Sequence, residues 1–516
     1  MPRSDGWPPP SPEFLTRIPH EFARRHLVLS EGVDAGSERL VTAGPASELV
    51  LFNVGVRLGR PIRAREAEPE LIAAAIDRAY AGAAQERAIS NGTDAPAVVV
   101  TASGDVEADL AAAVREAELD LLSTHGKAPA VRLVDLVLFE ALLRGASDVH
   151  IQPVRQRTLV RYRLDGALHT VRELPGALAS SVVSRVKIMA GLDVAEHRTP
   201  QDGRATVTVG GTDGPQAGRR IDLRISTLPS TYGERVVLRL LDPSRASHLL
   251  NFSALGMPPE LEGRYLAQVS RTSGIVLSTG PTGSGKTTTL YTTLAWLSTT
   301  NAGGQARGCE LNMMTVEDPV EYDLSAGGAS GLSVSQTQVD LKKGLSFVTG
   351  LRHILRQDPD VIMVGEVRDE ETARIAVQAS LTGHLVLSTL HTSDAASAVA
   401  RLLDLGVEPF LVSSSLSAVL AQRLVRTVHG ACAGTGCPEC VGTGFKGRTG
   451  VFELLVLDGA IRKLVGSHAS AIEIKAAARR SGMITLLEAG QAVVAAGQTS
   501  QVELGRVIDS VDEVVA

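Results

Sequence analysis

The sequence predicts an α/β protein: a parallel-sheet domain preceded by a smaller α+β domain and an N-terminal helical module. Three observations predict it. From about Phe252, short and almost wholly apolar runs such as VIMVGE (361–366) and HLVLSTL (384–390) alternate with helical patterns. Strands of that kind are buried on both faces, as in a parallel sheet covered by helices. Within this region, Gly280-Pro281-Thr282-Gly283-Ser284-Gly285-Lys286-Thr287 joins the apolar run Ile275, Val276, Leu277 to a Thr/Leu/Ala-rich helical segment. Upstream, residues 128–248 combine one helical pattern with alternating strands and Gly/Pro/Asp turn signals, the mixture expected of an α+β domain.

The chain has 516 residues, enough for three or four domains, and 44% hydrophobic residues with 21% charged, as in ordinary globular proteins. A net charge of −6 and only 3% aromatics argue against a nucleic-acid binder, which needs basic surface and stacking platforms. Four cysteines are too few for a disulfide scaffold. The start, MPRSDGWPPPSPEF, lacks the apolar stretch of a signal peptide, and no run of 18 apolar residues appears. A cytoplasmic protein that reaches membranes only through partners is the expectation.

In chain order, residues 1–12 read as a disordered start. Residues 13–80 read as a helical partner-docking module, with Phe14, Leu15, Ile18 and Phe22 on one face and Leu71, Ile72, Ala75, Ile76 and Ala79 on another. Residues 81–127 read as a linker region. The α+β domain (128–248) opens with an amphipathic helix through Val134, Val137, Leu138 and Ala141 that ends near Gly145. SDVHIQPV and TLVRYRLDGALHTV alternate as a hairpin, DGRATVTVGG and RRIDLRIST as a second pair across the loop GTDGPQAG, and ERVVLRLLD as a further strand. The parallel-sheet domain spans 249–428. A short cysteine-containing loop (429–447) and a C-terminal strand-helical region (448–516) follow.

Four blocks in the parallel-sheet domain carry chemistry. Gly280–Thr287 is G-x-x-x-x-G-K-[ST] in the strand–loop–helix context it requires. Its backbone N–H groups and the helix N-terminus suit phosphate, Lys286 reaches the β- and γ-phosphates, and Thr287 holds Mg²⁺. TVEDPVEY (315–322) places Glu317, Asp318 and Glu321 at a strand end, where carboxylates orient water or hold Mg²⁺. LRQDPDVIMVGEVRD carries an apolar strand into Gly365-Glu366, with Gly where an Asp is common, so the metal-contacting role falls to Glu366 or is water-mediated. GHLVLSTLHT places His384 and His391 at the two ends of a buried strand, either or both near the nucleotide.

These blocks resemble the phosphate loop, Asp box, Walker B and His box of the secretion ATPase superfamily. GASDVHIQP, RYRLDGALH, VVSRVKIMAGLDVAEHRTPQDGR, STLPSTYGERVVLRLLD and AVQASLTGHLVLSTLHT resemble its general secretion pathway E-type branch. IPHEFARRHLVLSEG resembles that branch's N-terminal module more loosely. The resemblance implies a RecA-like P-loop ATPase domain and an ATP-hydrolysing hexameric motor of type II secretion. It also implies attachment to the inner membrane through the secretion platform and its cytoplasmic docking subunit, without insertion of its own. A type IV pilus assembly ATPase is the alternative within the class; a nucleic-acid translocase is the alternative outside it. By the same resemblance some of Arg204, Arg224, Arg235, Arg239, Arg352 and Arg356 reach the nucleotide, and the sequence leaves open which. Arg204 and Arg224 are the candidates taken with Lys286, Glu317 as the water-orienting carboxylate, Glu366 and His391.

The cysteines depart from that pattern. The branch carries two C-x-x-C pairs separated by a long spacer; here only Cys437-Pro-Glu-Cys440 matches, with His429 and Cys432 nearby. One imidazole and three thiolates suit Zn²⁺ in a tight loop, or the metal has been lost and the thiols are bystanders. Cys309 reads as a small packing residue.

Overall fold

The computed structural model describes residues 10–18, 23, 26–34, 37–43, 50–51, 54, 58, 60–67, 71–72, 75–76, 98–100, 109–114, 128–209, 220–242, 251–302, 310–325 and 332–508. Phe22, Ala79, Cys309, the loop GTDGPQAG, the start before residue 10 and most of the linker region lie outside them. Two compact units divide the chain, residues 1–94 and 95–516.

In the first unit a helix, Pro12–Arg17, is capped by Ser11, whose hydroxyl accepts from the Phe14 N–H at 3.2 Å. It buries Phe14 and Ile18 beside Ile72 and Ile76. The helical reading missed a sheet here, formed by β1 (Val28–Asp34), β2 (Ser37–Thr42) and β3 (Ile62–Glu66). β1 and β2 are buried along most of their length, so they lack the polar alternation that marks a half-exposed strand.

The second unit opens with the α+β domain. Its sheet runs β4-β8-β9-β10-β5-β6-β7. The strands are β4 (Val98–Val100), β5 (Asp148–Val154), β6 (Arg157–Leu164), β7 (Ala167–Pro175), β8 (Gln201–Val209), β9 (Arg220–Ser230) and β10 (Gly233–Leu241). The linker region thus supplies an edge strand, β4, parallel to β8. TLVRYRLDGALHTV is two strands, not one. Asp165 (φ 48°) and Gly166 (φ 83°) form the tight turn between β6 and β7, with the paired positive φ values of a type I′ hairpin. Val149, Ile151, Val160, Tyr162, Leu223, Ile225, Val236 and Leu238 join the core that includes helices Ala128–Leu143 and Ala179–Met189. The intervening positions carry charge. Arg204, Arg224, Arg239, Asp148 and Arg163 lie in one register row across five strands.

The larger sheet runs β13-β12-β14-β15-β11-β16-β17. It comprises β11 (Gly274–Thr279), β12 (Met313–Glu317), β13 (Val334–Gln338), β14 (Val361–Val364), β15 (Leu385–Leu390), β16 (Leu416–Val428) and β17 (Phe445–Val456). All neighbours are parallel except β17, which pairs antiparallel with β16. The strand expected in the separate C-terminal region is therefore part of this sheet, and the polypeptide from 429 to 444 is the loop at the tip of a β16–β17 ribbon. Every residue of β11 and β15 is buried, as a central parallel strand requires. The carboxyl ends of β11, β12, β14 and β15 open on one edge, where open parallel sheets bind ligands.

The candidate nucleotide site and the His/Cys cluster

The phosphate loop turns out of β11 into the helix Lys286–Ala302. Gly280, Gly283 and Gly285 have φ of 150°, 79° and 89°. At Gly280 a Cβ would lie 2.5 Å from the Gln422 carbonyl oxygen, so only glycine fits. Lys286 is buried, and its Nζ donates to the carbonyls of Gly280 (2.6 Å) and Pro281 (3.0 Å). Burial, with a smaller contribution from Arg423, lowers its pKa to about 8, against the opposing pull of Glu366 and Glu321. The Ser284 hydroxyl is buried with no hydrogen-bond partner among the described residues. An ammonium folded onto its own loop, an unused hydroxyl and positive-φ glycines at a helix N-terminus fit a phosphate chain.

Glu366 follows β14 and is mostly buried. Arg368 pairs with one of its oxygens, and His391 Nε2 lies 3.6 Å from the other. His391 follows β15 at the same edge. Burial lowers its pKa and Lys286 adds to that, with Glu366 opposing. His384 does not share this edge. Its carbonyl accepts the Gly274 N–H at the start of β11, and its Nδ1 lies 2.8 Å from the Ala379 carbonyl. The six-residue strand places it about 20 Å from the loop edge.

Glu317, the carboxylate expected to orient water, is engaged by neighbouring side chains. It is 2% exposed at the end of β12, and its carboxylate accepts from Tyr291 Oη, from Thr315 Oγ1 (2.5 Å) and from Gln336 Nε2 (3.1 Å). Those partners take up its oxygens and hold the strand end rigid. Glu321, four residues on, is open to solvent by surface area, yet neighbouring atoms crowd its carboxyl. That desolvation raises its pKa and Glu317 adds to the effect, against Arg239, Arg224 and Lys286. The sequence favours Glu317 over Glu321 as the water-orienting group; Tyr291 and Gln336 engage Glu317 and leave Glu321 open.

From the α+β domain, Arg224 Nη2 donates to the Val320 carbonyl at 3.3 Å. Burial lowers its pKa, Arg204 and Arg239 add to that, and Glu321 and Asp318 oppose it. Arg204 is exposed beside it. Arg239 Nε donates to Asp148 at 3.1 Å, and Arg235 Nη2 lies 3.3 Å from His150 Nδ1. Arg352 is paired with Glu371 on the surface, and Arg356 is exposed.

At the ribbon tip, one ligand atom from each of His429, Cys432, Cys437 and Cys440 lies within 4.8 Å of all the others. Cys440 Sγ is 3.8 Å from Cys432 Sγ and 3.7 Å from Cys437 Sγ. A tetrahedron with 2.3 Å metal–sulfur bonds has edges of about 3.8 Å. His429 Nδ1 is 3.3 and 3.5 Å from two of the thiols, and its Nε2 faces Glu439 at 3.5 Å, a carboxylate placed to orient the ring. Burial opposes ionisation of Cys440, but N–H donors from Cys437 and Gly444 outweigh it and lower its pKa to about 6. The donor set and its spacing fit a tetrahedral metal ion.

The family model for "Type II/IV secretion system protein" matches residues 123–514, and that for "MshEN domain" matches residues 5–86. The chain belongs to the type II/IV secretion system protein family. Among curated relatives, Type II secretion system protein HxcR of Pseudomonas aeruginosa is 47% identical over 81% of this chain and 86% of its own. Type II secretion system protein E of Dickeya dadantii is 41% identical over 96% and 98%. The solved ATPase DotB of Yersinia pseudotuberculosis shares the fold, with a TM-score of 0.57 at 22% identity over 73% of this chain and 92% of that one.

Within the family member described here, two further residues crowd the phosphate loop from β16, Gln422 and Arg423. Arg423 donates to the Ser393 carbonyl at 2.6 Å and to the Gln422 carbonyl at 3.1 Å. A signal was present: AVLAQRLV is apolar except for these two, and polar side chains inside a buried strand need a purpose.

Proposed function

We propose that this protein is the ATP-hydrolysing motor of a type II secretion system, working as a homo-oligomer, a hexamer, at the cytoplasmic face of the inner membrane. Its partners are the secretion platform and that platform's cytoplasmic docking subunit. The convergence of Lys286, Glu321, Glu366 and His391 on one sheet edge, with Arg224 of the α+β domain reaching the loop that carries Glu321, carries the reading. Similarity to type II secretion proteins along most of the chain supports the transport context. No described helix is long and apolar enough to cross a membrane, which fits attachment through partners.

In this reading Gly280–Thr287 holds the phosphates of ATP, and Lys286 leaves its loop carbonyls for the β- and γ-oxygens. Thr287 and Glu366 hold Mg²⁺, which when bound neutralises phosphate charge. Glu321 orients the attacking water and Glu317 fixes the strand that carries it. His391, whose burial favours the neutral imidazole, reads the γ-phosphate. Arg204 and Arg224 balance charge on the transferred group. His429, Cys432, Cys437 and Cys440 hold Zn²⁺ in a structural role.

ATPase assays on the full chain test this. Lys286→Ala and Glu366→Gln are each expected to lower kcat about 100-fold or more, and Glu321→Gln by about as much with the folded state intact. Glu317→Gln is expected to lower the Tm as well, because it disturbs a buried network. Wild-type turnover in both Lys286→Ala and Glu366→Gln would overturn the site. Full turnover in Glu321→Gln would overturn the assignment of the water-orienting group.

A further inference from the structure

Gln422 is 1% exposed on β16. Its Nε2 donates to the Ser284 carbonyl at 2.7 Å, in the phosphate loop. Its Oε1 accepts from Ser278 Oγ at 3.2 Å, on β11 before the loop, and from Thr289 Oγ1 at 2.9 Å, in the first turn of the helix after it. One amide therefore ties together the strand, the loop and the helix of the motif. The orientation of the amide follows from its partners. The Ser284 carbonyl accepts only, so it must face the NH₂ group, whereas the hydroxyls can donate to the oxygen. Two glycines of the motif pack against the same residue. A Cβ at Gly280 would meet the Gln422 carbonyl oxygen at 2.5 Å, and one at Gly285 would meet Nε2 at 3.0 Å.

We propose that Gln422 is a positioning residue for nucleotide binding. It touches no phosphate itself and sets the curvature that aims the loop N–H groups at one. The inference rests on the reading that this loop binds ATP. It also gives the loop a mechanical neighbour. β16 continues to Val428, the stem of the His/Cys loop, and its partner β17 donates from the Gly447 N–H to Asp165 of the α+β domain at 2.7 Å.

Equilibrium binding of a fluorescent ATP analogue and steady-state ATPase kinetics, both on the full chain, test the proposal. Gln422→Glu conserves volume but turns a donor into an acceptor opposite the Ser284 carbonyl. The Kd for nucleotide is expected to rise about tenfold, the effect of one buried hydrogen bond, with kcat at saturation within about threefold. A merely structural role would lower Tm and active fraction without moving Kd. Thr289→Val, which removes one partner of Oε1, is expected to raise Kd about threefold, and Thr289→Ser to restore it. Thr289→Val combined with Gln422→Leu is expected to be no weaker than Gln422→Leu alone, since both act through one network. Unchanged Kd in Gln422→Glu, or losses that multiply in the double variant, would overturn the proposal. Failure of the wild type to bind the analogue would instead overturn the ATP reading beneath it.

Discussion

Lys286 carries opposite pH dependences for binding and for stability. Burial holds its pKa near 8 against an ordinary 10.5. Only the ammonium form pairs with phosphate. The Kd for ATP is therefore expected to be flat below about pH 8 and to weaken above it by as much as about tenfold per unit. Stability runs the other way. Between pH 8 and 10.5 the unfolded chain holds the proton more tightly than the folded one, so the contribution of this group rises as pH increases through that window. Nucleotide titrations between pH 7 and 9.5 check the first expectation, and a constant Kd would refute it. At this scale the sequence was informative where chemistry is local. The loop is a contiguous motif, and its lysine and glycines were identified without the fold. The sequence favours Glu317 over Glu321 without the contacts that distinguish them. What seals Glu317 is Tyr291, on the helix after the phosphate loop, and Gln336, on β13, residues that only the tertiary fold brings to it.

Elements were legible when their burial pattern was simple. The fully apolar strands β11, β14 and β15 stood out, and the helix 128–143 showed its stripe. β1 and β2 were missed because both faces are covered, and the β6–β7 turn because Asp-Gly sat inside a run of alternating residues. The β16–β17 ribbon is the element most changed from expectation. The loop holds a single C-x-x-C pair, Cys437–Cys440, and the antiparallel pairing brings His429 beside both cysteines. The ribbon is also fixed at its stem. Arg426 stacks on Phe445 at 4.6 Å and pairs with the buried Glu503 of the helix Gln501–Val507 at 2.7 Å. These contacts anchor the base from which the tip projects. Elemental analysis of purified protein is expected to find near-stoichiometric zinc, and Cys440→Ser to lose most of it. Chelation is expected to lower the Tm while leaving the ATP Kd within about twofold, because the ligands lie at the far end of the ribbon from Gln422. Absence of zinc from protein prepared without chelator would refute the site.

At the scale of the whole molecule, the arginine row joins two domains that the sequence presents separately. Arg204, Arg224 and Arg239 stand side by side on adjacent strands, three like charges in one register row. Arg239 leans on Asp148, and Arg224 reaches across to Val320 in the loop that carries Glu321. Such a row costs electrostatic energy in the folded chain: burial is the main cause that lowers the pKa of Arg224, and Arg204 and Arg239 add to it. An anion between the row and the phosphate loop would relieve it, and the γ-phosphate of ATP carries such a charge. Arg224→Ala separates the two explanations for the row. If the arginine acts on the transferred phosphoryl group, kcat is expected to fall about 100-fold or more with the ATP Kd within about threefold. The Tm should stay level or rise, because one of three repelling charges is gone. If Arg224 is a strut whose purpose is the bond to Val320, the Tm falls and turnover survives. Melting curves and single-turnover rates on the same preparation give both numbers. A lower Tm with intact turnover would leave the α+β domain a scaffold rather than part of the catalytic unit.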